Sequence, residues 1–190
     1  MDRVAPQLVG RFVQRGEVTL RIVEVEAYGG ARDTASHARF GPTDRNRPMW
    51  GPAGVAYVYL CYGVHWMFNI VTGAEGVAGA VLVRAAEVEA GLEVVRARRG
   101  PRPSKTLTAG PGRVGQALGL SRSDSGASLQ DPYLRLLVGR PADRLGRSPR
   151  VGIDFATARD RDRRWRWFDP ASPLVSRPRL SRGRAGRRAG

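Results

Sequence analysis

The sequence predicts a single α+β domain built around an antiparallel sheet, and three observations carry that expectation. Apolar and polar residues alternate with period two in residues 18–28, 55–61, 65–71 and 77–85, and short glycine turns join several of these segments. Apolar residues recur at helical spacing in residues 87–99 and again within 106–120. A chain of 190 residues with 42% hydrophobic residues is long enough for one real core and too short for two full domains with a linker.

Taken in order, residues 4–15 read as a short helix or strand that Gly16 turns into a long strand over Val18–Tyr28. Alternation puts Leu20, Ile22, Glu24, Glu26 and Tyr28 on one face of this strand, and Thr19, Arg21, Val23, Val25 and Ala27 on the other. Residues 31–50 are polar and carry Gly41-Pro42, Asp44-Arg-Asn-Arg47 and Pro48, the pattern of a long surface loop with one helical turn near His37. Loops of this length inside a compact domain are usually functional. Gly51-Pro52-Ala53-Gly54 leads into a strand where Tyr57, Tyr59 and Cys61 alternate with Val58 and Leu60, and Tyr62-Gly63 turns the chain. Residues 65–71 return with His65, Met67 and Asn69 on one face and Trp66, Phe68 and Ile70 on the other. After a second turn, residues 77–85 carry Ala80, Leu82 and Arg84 together, completing a three-stranded meander. Gly91 interrupts the helical pattern of 87–99, which ends in a basic break, and Ala109-Gly-Pro-Gly112 precedes another short helix. Residues 138–155 and 165–175 hold two or three further short strands, with 159–166 as a charged hairpin tip between them. The domain is expected to span residues 1–176, and the arginine- and glycine-rich 177–190 to be a disordered basic tail, either a tether or simply an unstructured end.

Composition narrows the class of function. A formal charge of +15 on a chain with a normal apolar content describes a folded domain that attracts polyanions, nucleic acid first and anionic membrane or acidic protein second. One cysteine rules out a disulfide framework, and two histidines without metal-ligand spacing point to no metal. No apolar run approaches the roughly 20 residues needed to span a bilayer, and no signal peptide is visible, so a cytoplasmic, membrane-free protein is expected.

Within the long strand, Glu24-Val-Glu-Ala-Tyr28 puts two carboxylates and a phenol on one face, just before Gly29-Gly30 and the polar loop bearing His37. A solvated face is the ordinary reading of such glutamates. A carboxylate, an aromatic ring and an imidazole at a strand end and loop mouth are also the parts of a catalytic pocket.

Several motifs in order sharpen this: Arg21-Ile-Val-Glu-Val-Glu-Ala-Tyr28, Ser36-His37-Ala38, Thr43-Asp-Arg-Asn-Arg47, Tyr57-Val-Tyr59, Tyr62-Gly63, Phe68-Asn69-Ile70, Val81-Leu-Val-Arg84-Ala85, and Gly110-Pro111 with Gln116-Ala-Leu118. Together they resemble the alkyladenine (type II) class of the 3-methyladenine DNA glycosylase family, over residues 5–175. The resemblance implies a curved antiparallel sheet with flanking helices, no helix-hairpin-helix and no cofactor. It implies a monomer acting on double-stranded DNA that contains a damaged base, which is taken out of the stack before its N-glycosidic bond is hydrolysed.

By the same resemblance Glu26 is the general base that activates water and offsets charge on an oxocarbenium-like sugar, and Arg84 helps to position that water. Tyr28, His37 and Tyr59 line the base pocket. Asn69 rejects the exocyclic amino group of normal guanine, and Tyr62 is the wedge that fills the gap in the duplex. Arg45, Arg47 and Arg113 are expected to contact phosphates. Other readings stay open: Arg84 as a phosphate clamp or ion-pair partner, Tyr59 as a core tyrosine, and Asn69 as an asparagine that satisfies backbone. Only the Glu-Ala-Tyr pattern of the family favours Glu26 over Glu24. Lys105, the sole lysine, is a poor Schiff-base nucleophile in its basic break, so a monofunctional hydrolase that leaves an abasic site is expected. Alkylated purines such as 3-methyladenine already carry positive charge and depart easily, whereas hypoxanthine and ethenoadenine need protonation, for which no acid is evident. The rival class is a non-catalytic nucleic-acid-binding module, which would have no use for Glu26 together with Arg84.

Overall fold

The computed structural model describes residues 1–176, so the expectation of a disordered tail at 177–190 lies outside the described residues. A helical turn, α1 (Ala5–Leu8), precedes strands β1 (Phe12–Arg15) and β2 (Val18–Tyr28), so the first segment contains both a helix and a strand. Then come β3 (Ala56–Cys61), β4 (His65–Val71), β5 (Ala80–Ala90), helices α2 (Leu92–Arg99), α3 (Ser104–Leu107) and α4 (Pro111–Leu118), strands β6 (Leu134–Leu137) and β7 (Gly146–Ser148), helical turn α5 (Ala158–Arg161) and β8 (Arg166–Phe168). The strands form one curled antiparallel sheet in the order β3-β4-β5-β2-β1-β6, with β8 on β2 and β7 on β8. The α+β class and the β3–β4–β5 meander are therefore as the sequence predicts.

Several boundaries differ. β5 continues to Ala90, so residues 87–90, expected in the helix, extend the sheet along β2 before Gly91 turns the chain into α2 with a positive φ of 75°. Pairing with β2 overrides the helical spacing there. β6 starts before the region expected to contain strands, and a helical turn stands where a hairpin tip was expected. The long loop holds two 3-10 turns, His37–Phe40 and Arg47–Trp50.

The largest departure lies inside β2. Ile22 pairs with Ala86 and Glu24 with Ala85, so Val23 has no partner, and Val25 then pairs with Val83, leaving Arg84 without one. Two bulges, one on each strand, sit beside each other. Each bulge reverses the phase of the alternation, so Leu20 and Ile22 join Val25 and Ala27 in the main core instead of sharing a face with Glu24, Glu26 and Tyr28. Val23 and Ala85 fall into a small separate cluster on the opposite side.

The main core lies between the sheet and the helices α2 and α4, with Val58, Phe68, Ile70, Val81 and Val83 facing Val95, Val114, Ala117 and Leu118. α4 reaches β4 closely because Gly115 has no side chain: a Cβ there would stand 2.0 Å from the Trp66 carbonyl oxygen. Among the described residues no helix is long and apolar enough to cross a membrane.

Three arginines are buried on carboxylates. Arg21 pairs with Asp169 at 3.0 Å and Glu87 at 3.2 Å, Arg166 with Glu24 at 2.6 Å, and Arg150 makes a bidentate pair with Asp33 at 2.7 and 2.9 Å. The Arg150–Asp33 pair clips the segment after β7 to the turn after β2, and Asp33 also accepts the Gly29 and Ala35 N–H groups. Removing one member of such a pair leaves an uncompensated buried charge. Asp33→Ala is therefore expected to lower unfolding stability by about 3–5 kcal/mol, measured by urea denaturation.

Candidate active site

The phase after the bulges decides which side chains meet. Glu26 pairs with Leu82, Leu82 with Asn69, and Asn69 with Tyr57, so these four stand in one row across β2, β5, β4 and β3, on the same face. Tyr28 and Tyr59 lie one step along from this row on their strands' same face. Arg84, two residues from Leu82 on β5, is on that face too.

Glu26 is 0 % exposed. Its Oε1 accepts the Val151 N–H at 2.7 Å, and its Oε2 accepts the Tyr28 hydroxyl at 2.9 Å and Arg84 Nη1 at 3.1 Å. Arg84 also gives Nε to Glu24 Oε1 at 3.2 Å. Its side chain is 11 % exposed, and its Nη2 makes no hydrogen bond among the described residues, leaving one end of the fork free. Burial alone would lower the Arg84 pKa, but the Glu26 and Glu24 carboxylates outweigh it and hold the guanidinium above its ordinary value. Burial, reinforced by Glu26, holds the Tyr28 phenol well above its ordinary value against the pull of Arg84 and Arg150, so Tyr28 stays a hydroxyl donor.

In front of this group is a cavity of about 190 Å³, lined by Tyr28, His37, Tyr57, Tyr59, Asn69 and, from the segment after β7, Ile153. The imidazole of His37 meets Tyr59 edge-on, with centroids 4.5 Å apart, and its Nδ1 is 3.0 Å from the Tyr57 hydroxyl. Burial pushes both the Tyr57 and Tyr59 phenols up, and burial together with Arg45 and Arg39 pushes the His37 pKa down. His37 is thus a neutral imidazole at pH 7, able to donate from one nitrogen and accept at the other. Asn69 is held by its Nδ2 on the Tyr57 carbonyl at 3.0 Å, so it both satisfies backbone and lines the cavity. A slot walled by aromatic rings with hydrogen-bonding groups at its edge fits a planar heteroaromatic ring, and the carboxylate and guanidinium behind it supply a proton acceptor and a cation.

The structure therefore brings together Glu26, Arg84, Tyr28, His37, Tyr59 and Asn69. Tyr62 stands at the β3–β4 apex near the cavity mouth, 94 % exposed, and is the only non-glycine residue with positive φ among the described residues, at 51°. The phosphate-contact candidates lie outside the cavity. Arg45 is exposed, donates to the Leu60 carbonyl at 2.7 Å and stands 5.3 Å from the Tyr59 ring centre. Arg47 is exposed and paired with Asp44, and Arg113 is exposed and donates to the Thr106 and Ala109 carbonyls. Sequence reasoning missed Tyr57, which alternation with Tyr59 could have placed, and Val151, Ile153 and Arg150, which nothing local in the sequence could. Arg150 stacks between Tyr28 and Trp165, 4.8 and 5.2 Å from their ring centres, and forms the wall behind Tyr28. Among the described residues no three His, Cys, Asp or Glu side chains converge as a metal site.

An NMR titration of His37 is expected to give a midpoint below 6.5, and Arg45→Gln to move it up, because one of the neighbouring cations that disfavour imidazolium is gone.

Comparison with known proteins agrees with this geometry. The sequence profile of the methylpurine-DNA glycosylase family matches residues 1–173. A DNA-3-methyladenine glycosylase of Arabidopsis thaliana is 47% identical over 179 residues, covering 93% of this chain and 70% of its own. A protein of Nitrosococcus oceani, provisionally named for 3-methyladenine DNA glycosylase activity, is 48% identical over 174 residues, 91% of this chain and 87% of its own, and one of Nocardia farcinica with the same provisional name is 46% identical over 187 residues, 93% and 86%. With the match running from the first residue through β8, the chain belongs to the methylpurine-DNA glycosylase family and is a DNA glycosylase, a hydrolase of N-glycosyl bonds.

Proposed function

We propose that the chain excises alkylated purines, 3-methyladenine foremost, from duplex DNA by everting the damaged nucleotide into the aromatic cavity and hydrolysing its N-glycosidic bond with water. The observation that carries this reading is the buried Glu26 carboxylate, held by Tyr28, Arg84 and Val151 directly behind a cavity walled by Tyr28, His37 and Tyr59. Glu26 takes a proton from water as it attacks the anomeric carbon, and its negative charge offsets the positive charge growing on the sugar. Nη2 of Arg84, which makes no hydrogen bond among the described residues, is a donor left over for that water. The base leaves with the electrons of the broken C–N bond and an abasic site remains. Release needs no protein nucleophile, so the enzyme is monofunctional.

Tyr28, His37 and Tyr59 hold the everted base, with the neutral imidazole able to hydrogen-bond its edge, and Asn69, pinned to the Tyr57 carbonyl, narrows the slot against guanine. A base that is already cationic, such as 3-methyladenine, departs without help. Hypoxanthine and ethenoadenine enter the same slot and leave more slowly, because among the described residues no Asp or Glu lines the cavity. Arg45, Arg47 and Arg113 hold the phosphates, which makes binding strongly salt-dependent. A single copy suffices, since every side chain named in the site belongs to one chain, and the substrate places the protein with the chromosomal DNA.

Tyr62 is the wedge. Its residue and Gly63 both have positive φ, and Val64 N–H closes the turn on the Cys61 carbonyl at 3.1 Å. A turn of this kind favours Asn-Gly, so tyrosine at its first central position is strained. Tyr62→Asn is therefore expected to raise unfolding stability by up to about 1 kcal/mol, because Asn tolerates this conformation better, yet to weaken binding to lesion-bearing duplex; a melting curve and a binding titration read the two opposite signs.

The decisive assay uses duplex oligonucleotides carrying 3-methyladenine, ethenoadenine or hypoxanthine, followed by alkali. Scission at the lesion only after alkali is the expected result; DNA binding with no scission on any lesion would overturn the proposal in favour of a binding module. In the same assay Glu26→Gln is expected to lose about 10²–10⁴-fold in single-turnover base release while still binding the lesion duplex.

A further inference from the structure

Glu24 is as deeply buried as Glu26, and no step above uses it. Its Oε1 accepts Arg84 Nε at 3.2 Å and Arg166 Nε at 2.6 Å, and its Oε2 accepts the Ser176 N–H at 2.7 Å. Arg166 is fixed in turn by Ser148 Oγ at 3.0 Å and by the Ser176 carbonyl. Two carboxylates and two guanidiniums thus form one buried chain: Arg166, Glu24, Arg84, Glu26. Such a cluster could be structural only, but its geometry at Arg84 is specific. A guanidinium is a rigid planar fork, and with Nη1 alone bonded it can still pivot about that bond. Holding Nε on a second carboxylate removes that freedom and fixes where the unpartnered Nη2 points. Glu24 shares the face of Glu26 by strand alternation, and the bulge at Val23 keeps Leu20 and Ile22 off that face.

Resting on the roles given above to Glu26 and Arg84, we propose that Glu24 is a positioning residue for base release: it takes the Nε of Arg84 and so orients the guanidinium opposite Glu26, without itself touching substrate. Arg166 and the Ser176 amide complete its hydrogen bonds and balance its charge, which ties the end of the described chain to the reacting centre.

A double-mutant cycle on single-turnover base release, using a lesion that the wild type excises, tests this. Glu24→Gln is expected to slow release by about 10- to 100-fold, the scale of a small misplacement of a reacting group, with lesion-duplex affinity unchanged. In an Arg84→Gln background the same substitution is expected to cost less than about threefold, since there is no longer a guanidinium to orient. A purely structural Glu24 gives the same factor in both backgrounds, and that result, or wild-type release by Glu24→Gln, overturns the proposal. Should the Gln variants fail to fold, Glu24→Asp decides. It keeps the charge but is one methylene too short to hold Nε, so a rate loss of about tenfold or more with intact lesion affinity supports the role. Wild-type release by Glu24→Asp, or a loss matched by loss of affinity, overturns it. Failure of the underlying reading looks different: a wild type that releases no base, or a Glu26→Gln variant that still does.

Discussion

The structure depends on keeping an ionisable carboxylate, Glu26, out of water without leaving it unsatisfied. A buried carboxylate is costly unless its lone pairs are met and its charge is opposed. Here an amide from after β7, a phenol from its own strand and a guanidinium from β5 do so together. Each comes from a different part of the chain, so the sheet, the segment after β7 and the clip between Arg150 and Asp33 must all be in place before the carboxylate is stable where it sits. The fold is in this sense organised around this buried carboxylate.

The two adjacent bulges make that arrangement possible within a sheet. A regular ladder would place Ile22 and Glu26 on one face and oppose a carboxylate to the core. By dropping one residue on each strand at the same level, β2 and β5 stay paired to both ends while Leu20, Ile22, Val25 and Ala27 all remain in the apolar core, and Glu24, Glu26, Tyr28 and Arg84 are collected on the other side. The local irregularity is the device that separates the apolar core from the charged side chains.

Positive charge is divided between two uses. Arg21, Arg84, Arg150 and Arg166 are buried or nearly so and bound to carboxylates, where planar bidentate guanidinium suits close pairing better than an ammonium would. Among the described residues others, such as Arg45, Arg47 and Arg113, are exposed and contribute to the positive field of the surface. Rigidity is divided likewise. The buried carboxylates are locked by ion pairs, whereas the apex carrying Tyr62 projects from a strained turn into solvent.

Much of this was legible in the residues. Period-two alternation placed β3 and β4 and the long strand β2, and put Tyr57 with Tyr59 on one face of β3 and Met67 with Asn69 on one face of β4, because strand periodicity is a local property. The motif pattern around Glu26, Tyr28, His37 and Arg84 pointed to the family to which the chain belongs. What the sequence could not determine was everything set by pairing between distant segments: the bulges that break the alternation of β2, the extension of β5 over residues expected to be helical, the roles of Val151, Arg150 and Arg166 around the carboxylates, and the link from Ser176 to Glu24. Alternation is written in neighbouring residues, whereas partners of the buried carboxylates such as Val151 and Arg166 are more than a hundred residues away and are chosen only when the strands have come together.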